Sequence, residues 1–377
     1  MTSNASGPLE RFAAGGLGTV EEIAAWLEER GLQVGKLGEN FAQQPLLCVQ
    51  TGMGSARPIV VTAGAHAGEP AGVLAALQLL VEHDFQSPTY FVPLRDPFAW
   101  QGFAGALKHA SPTLQLPDQL DHAAVRTLLL AHGAWHAEYG DLLVTEIGGI
   151  VFATMPPQAP PIGPRQLEQA VNQALAGDRA LAERTLGKRI VFPSNSGPTA
   201  EGVRDFDRAF SATIRTPGMV ADMNRGFGGP EEPNEVRLLR ELVDRLDPGL
   251  VLDLHEGQGS TYYAFVGADS PHEETYALTR AALDAMGQDG VPPVTLADLE
   301  RSFGPRIRDG LSEPTPGMLV GRVQSTALRG TSFGNYCDRF CAAITFETGR
   351  WAPLAERVHR QLLGARAVLR AHETGGR

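Results

Sequence analysis

Only three cysteines occur in the chain, Cys48, Cys337 and Cys341. That excludes a disulfide framework and a cysteine-rich zinc site, which need more thiols at short spacing. No apolar run approaches the roughly 20 residues that span a bilayer, so no membrane partner is expected. No dense Lys/Arg run is present and the net charge is −11. A nucleic-acid partner, whose grip comes mainly from neutralising phosphates, is therefore not expected either. The opening "MTSNASGPLERFAAGG" lacks a basic segment followed by an apolar one, so a cytoplasmic location is the default expectation. A G-x-S-x-G nucleophile elbow is missing too. The glycine-rich "TGMGSARP" and "RGFGGPE" complete neither a P-loop nor a dinucleotide fingerprint. The first of them reads as a hairpin turn between two strands.

What remains is ordinary globular material, 43% apolar and 20% charged, with 43 glycines and 27 prolines over 377 residues. Such numbers mean many loops around a large core. Residues 1–16 read as a loose leader. "TVEEIAAWLEERG" follows as a helix, with Thr19 and Glu22 at capping-box spacing and Gly31 at its close. "PLLCVQTG", "RPIVVTAG", "PTYFVPLRD", "LVLDLH" and "CAAITFETG" read as strands. "PAGVLAALQLLVEH", "EPNEVRLLRELVDRLDPG", "PHEETYALTRAALDAMG" and "APLAERVHRQLLGARAVLRAHE" read as helices. This alternation predicts an α/β fold, a three-layer sandwich with a mixed, largely parallel sheet flanked by helices. Residues 1–35 would be leader and helix, and 36–377 a single catalytic domain. From 105 to 214 the pattern loosens, with helical stretches such as "DHAAVRTLLLAHGAWHAEYG" between Pro/Gly-rich segments, which reads as an insertion or subdomain.

In "VVTAGAHAGEPAG" a histidine and a glutamate stand three apart where a strand runs into a helix. They are either a polar loop, with Glu69 favoured by the helix dipole, or half of a metal site. His255 ends "LVLDLHEG", another apolar strand, and Glu347 ends "AAITFETGR". Ligands gather outside the carboxyl ends of strands in such sheets, which ties the three positions together. His66, Glu69 and His255 form a His₂Glu set that suits catalytic zinc and leaves one position open. Alone, a histidine such as His255 is more often a hydrogen-bonded strand-end residue than a ligand. His132, His136 and His272 sit in helical or loop contexts; the first two have i,i+4 spacing but lack the glutamate of an HExxH motif. A metal lowers a water's pKa to about 7, and a nearby carboxylate completes its activation. Glu347 on an apolar strand is costly without such a role or a partner, Arg350 being the partner at hand.

In order, "GAHAGEPAG", "ADMNRGFGG", "LVLDLHEG" and "ITFETGR" resemble the zinc metallocarboxypeptidase family M14, including its succinylglutamate desuccinylase/aspartoacylase-like deacylases. The resemblance covers some tens of residues. It implies a zinc carboxypeptidase-like sandwich with one Zn2+ held by His66, Glu69 and His255, and Glu347 as general base. Asn224 and Arg225 would grip a substrate carboxylate, for which a guanidinium fork is suited; taken without the other motifs they are a polar loop. Arg215, or failing it Arg208, would polarise the scissile carbonyl. The family tyrosine some twenty residues before the glutamate has no counterpart in "RVQSTALRGTS"; Tyr336 stands closer, as a substitute or as a packed aromatic. The expected partner is a small-molecule or peptide substrate with a free carboxylate. The activity implied is hydrolysis of an amide bond beside that carboxylate, by a metallocarboxypeptidase or by an N-acyl amino acid deacylase. A non-catalytic binding protein on the same fold would have no need of Glu347.

Overall fold

A computed structural model describes residues 7–156, 165–194, 206–216, 218–257, 259–269, 272–303, 310–321 and 330–375. Four strands come first: β1 (Val34–Glu39), β2 (Pro45–Thr51), β3 (Ile59–Ala63) and β4 (Thr89–Val92). Six follow: β5 (His136–Tyr139), β6 (Leu142–Ile147), β7 (Ile150–Thr154), β8 (Arg189–Pro193), β9 (Ala209–Arg215) and β10 (Met219–Asp222). The last are β11 (Leu250–Gly257), β12 (Tyr262–Val266), β13 (Leu311–Thr315), β14 (Met318–Gly321) and β15 (Ala342–Gly349).

These strands form two sheets. The larger runs β1-β2-β4-β3-β11-β15-β12-β14-β13. Its centre, β4-β3-β11-β15, is parallel, while the flanking pairs β1/β2, β2/β4, β12/β15 and β13/β14 are antiparallel. The centre is parallel because "IVVTA" and "LVLDL" are buried throughout, as strands covered on both faces must be. Ile59, Val61, Leu250, Leu252, Leu254, Ile344 and Phe346 point into one apolar layer with the helices Pro70–Glu82 and Leu354–Gly375. Val60, Val251 and Ala343 point into the other, against the helix Asn234–Leu246. This is the expected three-layer sandwich.

The alternation then places the chemistry. Side chains two apart share a face, so Asp253 and His255 continue the face begun by Val251, and Glu347 that begun by Ala343. Parallel register sets His255 beside Glu347. One face stays apolar as far as Leu254 and Phe346, with Glu256 and Thr348 following at the strand ends; the other turns polar sooner, at Asp253 on β11.

The second sheet, β10-β9-β8-β7-β6-β5, occupies residues 136–222. One face shares the main core through Leu143, Phe152, Val191 and Ala209. The other is covered by the helices Arg165–Gly177 and Arg179–Thr185 around Val151, Ile190, Phe192 and Ile214.

Local expectations fail in three places. "TGMGSARP" joins no hairpin: β4 lies between β2 and β3, pairing antiparallel with the first and parallel with the second. The helix at 122 stops at His132, and His136 opens β5, so the two histidines share no helix face. Part of the supposed loose leader is the helix Pro8–Ala13, and Phe12 packs at 5.9 Å from Trp100. Most of "PPQAPPIGP" and "SNSGPTAEG" lies outside the described residues.

Candidate metal centre

β3 ends at Ala63, and the chain passes His66 before Pro70 starts a helix. Glu69 is the residue that caps that helix, yet its side chain makes no cap hydrogen bond. A residue in that place usually contributes about 1 kcal/mol through its cap. Here the carboxylate turns to two imidazoles: Oε1 lies 2.9 Å from His66 Nδ1, and Oε2 lies 2.9 Å from His255 Nδ1. Candidate ligand atoms of His66, Glu69 and His255 all lie within 4.8 Å of one another. The three residues singled out in the sequence converge.

The far edge of each ring also meets a carboxylate. His255 Nε2 is 2.9 Å from Asp253 Oδ2, and His66 Nε2 is 3.6 Å from Asp222 Oδ1. An imidazole carries at most one proton per nitrogen, and a neutral ring carries only one. A ring facing carboxylates on both edges must therefore hold two protons or have a cation on one edge. Burial disfavours a charged His66, but Glu69 and Asp222 win and push it up to about 9. Burial likewise opposes charge on His255, and Asp253 with Glu69 raises it well above the usual range. Burial would raise Glu69, yet the two imidazoles hold it well below an ordinary carboxyl. A divalent cation in place of the two inner protons satisfies the same geometry. Asp222 and Asp253 then fix each ring with Nδ1 facing inward, as carboxylates behind ligating histidines do. The donor set fits zinc: two imidazoles and one carboxylate, with no thiolate.

Glu347 joins from β15. Burial is the largest influence on its carboxyl, reinforced by Glu69 and opposed by His255, and pushes it up to about 7. That suits a group that must take and return a proton near neutrality. The charge of Arg350 also draws Glu347 down, while Arg350 Nη2 lies 3.7 Å from Glu69 Oε1 and donates to the Glu256 carbonyl at 3.3 Å.

Asn224 and Arg225 follow β10 in a short turn. Asn224 Oδ1 accepts from Arg95 Nη2 at 3.1 Å and from the Phe333 N–H at 3.0 Å, and its Nδ2 is turned to the far edge of His255, 3.4 Å from Nε2. Arg225 is half-buried, donates to the Asn224 carbonyl at 2.8 Å, and helps hold Asp222 ionised against its burial. Arg215 ends β9 and is 1% exposed, close behind Gly226. It feels the charges of Glu231 and Asp222, but a substrate meets it only if this wall moves. Arg208 lies over Trp100, its guanidinium 4.3 Å from the ring, and donates to the Trp100 carbonyl. Tyr336 packs against Phe227 and Phe340 and donates to Asp244 at 2.6 Å, the behaviour of a packed aromatic. Most of "RVQSTALRGTS" falls outside the described residues.

Sequence reasoning missed four contributors. Asp222 and Asp253 were legible in principle, as the acid before Asn-Arg and the acid two before His255 on the same strand face. Arg95 reaches Asp253 and Asn224 across 158 and 129 residues of chain, and nothing in "PLRDP" announces that. Phe210, from the second sheet, stacks on His66 at 5.7 Å and 21° and is backed by Phe192 at 5.0 Å and 17°.

No family model matches the sequence, and no curated protein matches it. Solved structures similar in chain course include bovine thrombin-activatable fibrinolysis inhibitor in complex with tick carboxypeptidase inhibitor, 11% identical over 94% of this chain and 97% of that one, with a TM-score of 0.49. Another is a metallo-carboxypeptidase from Burkholderia cenocepacia, 12% identical over 94% of this chain and 69% of that one, with a TM-score of 0.47. Likeness at this distance says nothing of activity, which has to be read from the side chains.

Proposed function

We propose that the protein is a zinc-dependent hydrolase that cleaves an amide bond next to a free carboxylate, most simply as a carboxypeptidase on a peptide or small peptide-like substrate. The observation that carries this is the meeting of His66, Glu69 and His255 within 4.8 Å, with Glu347 in register beside His255. When bound, zinc supplies a Lewis acid for the scissile carbonyl and makes water a nucleophile near neutral pH. Glu347 takes the proton of the attacking water on a carboxylate oxygen and returns it to the nitrogen of the leaving amine. Arg225, partly exposed beside Asp222, is the cation placed to meet the substrate's carboxylate, with Asn224 next to it in the same turn as its proposed partner in that grip. Asp222 and Asp253 keep the imidazoles from turning.

One observation favours the narrower alternative, an N-acyl amino acid deacylase. Phe210, reaching in from the second sheet, covers one side of His66, which suits a compact acyl group better than a long peptide. Metal analysis of purified protein, with hydrolysis of short peptides and of N-acyl amino acids measured with and without chelator, tests both readings. Free amino acids released from peptides support the first; acetate or succinate released from acylated amino acids supports the second. A protein that purifies without divalent metal, takes none up, and hydrolyses neither class defeats the proposal.

A further inference from the structure

We infer that Arg95 is a positioning residue that locks the metal-holding half of this site to its substrate-facing half; the inference rests on the hydrolase reading given above. Arg95 follows β4 and is 3% exposed. Its Nη1 donates to both oxygens of Asp253, at 3.0 and 2.9 Å, and its Nη2 donates to Asn224 Oδ1 at 3.1 Å. Asp253 belongs to the larger sheet and stands behind His255, whereas Asn224 arrives at the end of the second sheet. One planar guanidinium therefore spans the junction.

Two consequences follow from the chemistry. First, the fork fixes the Asp253 carboxylate, which among the described residues also accepts from Thr62 at 2.7 Å and meets His255. The ring of His255 is thereby set so that Nδ1 faces Glu69. Second, Arg95 has no acceptor atom, so the Asn224 amide must present Oδ1 to it and turn Nδ2 to the far edge of His255, 3.4 Å from Nε2. The Phe333 N–H enforces the same orientation from the other side. Arg95 thus fixes which way the Asn224 amide points and, through the same guanidinium, ties the turn that carries Arg225 to the carboxylate behind His255. Its guanidinium lies 5.4 and 5.0 Å from the Phe227 and Phe333 rings, and the fixed fork is the property a lysine cannot supply.

The test uses R95M, R95K, D253N and the R95M/D253N double variant, with Zn2+ alone as probe and chelator competition as the measurement. Partners behind metal ligands are worth about ten- to a hundredfold in affinity. R95M is expected to lose that much, and R95K to recover only part of it. The double variant should lose no more than D253N alone, because Arg95 acts through Asp253. Unchanged affinity in R95M, or losses that multiply in the double variant, overturns the inference. A second measurement needs no metal. In protein labelled with 15N-asparagine, the Asn224 side-chain signal, assigned through its absence in N224D, should shift and exchange faster in R95M while the other asparagines keep theirs. An Asn224 signal identical in both proteins overturns the inference even if the wild type binds no zinc, a result that would by itself strike only the hydrolase reading.

Discussion

Glu347 concentrates the functional reading into one carboxyl group. Glu347→Gln keeps the volume and removes the base, so hydrolysis should fall by roughly 10²–10⁴-fold while metal content stays that of the wild type; rate and metal analysis on the same sample check it. The pH profile has a definite sign. A base works when ionised, so kcat/KM should fall on the acid side as Glu347 takes a proton. Burial pushes this carboxyl from 4.5 up to about 7, and a bound dication draws it back down. The acid limb should therefore lie between those two values and vanish in the residual activity of Glu347→Gln; a limb unchanged in the variant assigns it to another group. Single residues were also where the sequence spoke most clearly. His66, Glu69, His255 and Glu347 each stand at a strand end or helix start, and local pattern locates such places. Arg215 and Arg208 were chosen by proximity along the chain, which says nothing about which way a buried guanidinium points.

The helix Pro70–Glu82 holds Glu69 in place at its first turn, and two contacts set its seat. Glu256 accepts from the Ala71 N–H at 2.8 Å and pairs with buried Arg357. Gly72 lies flat on β11, where an added Cβ would strike the Leu254 carbonyl. Gly72→Ala should therefore lift the helix, destabilise the fold by about 1–3 kcal/mol as overpacking does, and weaken zinc binding through Glu69. Urea unfolding and zinc titration measure the two effects; an alanine variant with wild-type values in both would show that the seat yields freely. Elements of the main sandwich were legible wherever an apolar run was long or a cap stood at its start, as with Thr19 and Glu22. The strands of the second sheet were not: β6 to β9 fall in the stretch whose pattern loosens, and β5 and β10 are four residues each, too short for a period of their own. Their pairing partners, far along the chain, make them strands.

Across the whole molecule, the two sheets meet at the site. β3 and β11 lead to the proposed ligands, β15 carries the proposed base, and β9 and β10 supply Phe210, Asp222 and the Asn224-Arg225 turn. The metal-free protein should betray this crowding of carboxylates through its stability. His66 is raised from 6.5 to about 9 by Glu69 and Asp222, so the folded state holds its proton more tightly than the unfolded chain does. That contribution is complete below pH 6.5 and disappears as pH climbs through about 9. Chelated protein should lose unfolding free energy over that window, while zinc-loaded protein, with neutral ligated rings, should not. Urea melts of both forms at pH 6, 7.5 and 9 decide it. The sandwich could be foreseen because strand–helix alternation is written locally; the junction could not, since it depends on how one sheet lies upon another.

Glu69 and His255 meet although 186 residues separate them. During synthesis on the ribosome, a nascent chain that has emerged only as far as Glu69 displays a two-pronged chelate with nothing to complete it. Capture of the ion must wait for His255, by which time Arg95, Phe210 and Asp222 have already been made. On the proposed reading, the order of translation keeps hydrolytic competence until last, and a truncated product ending before β11 would lack both His255 and Glu347.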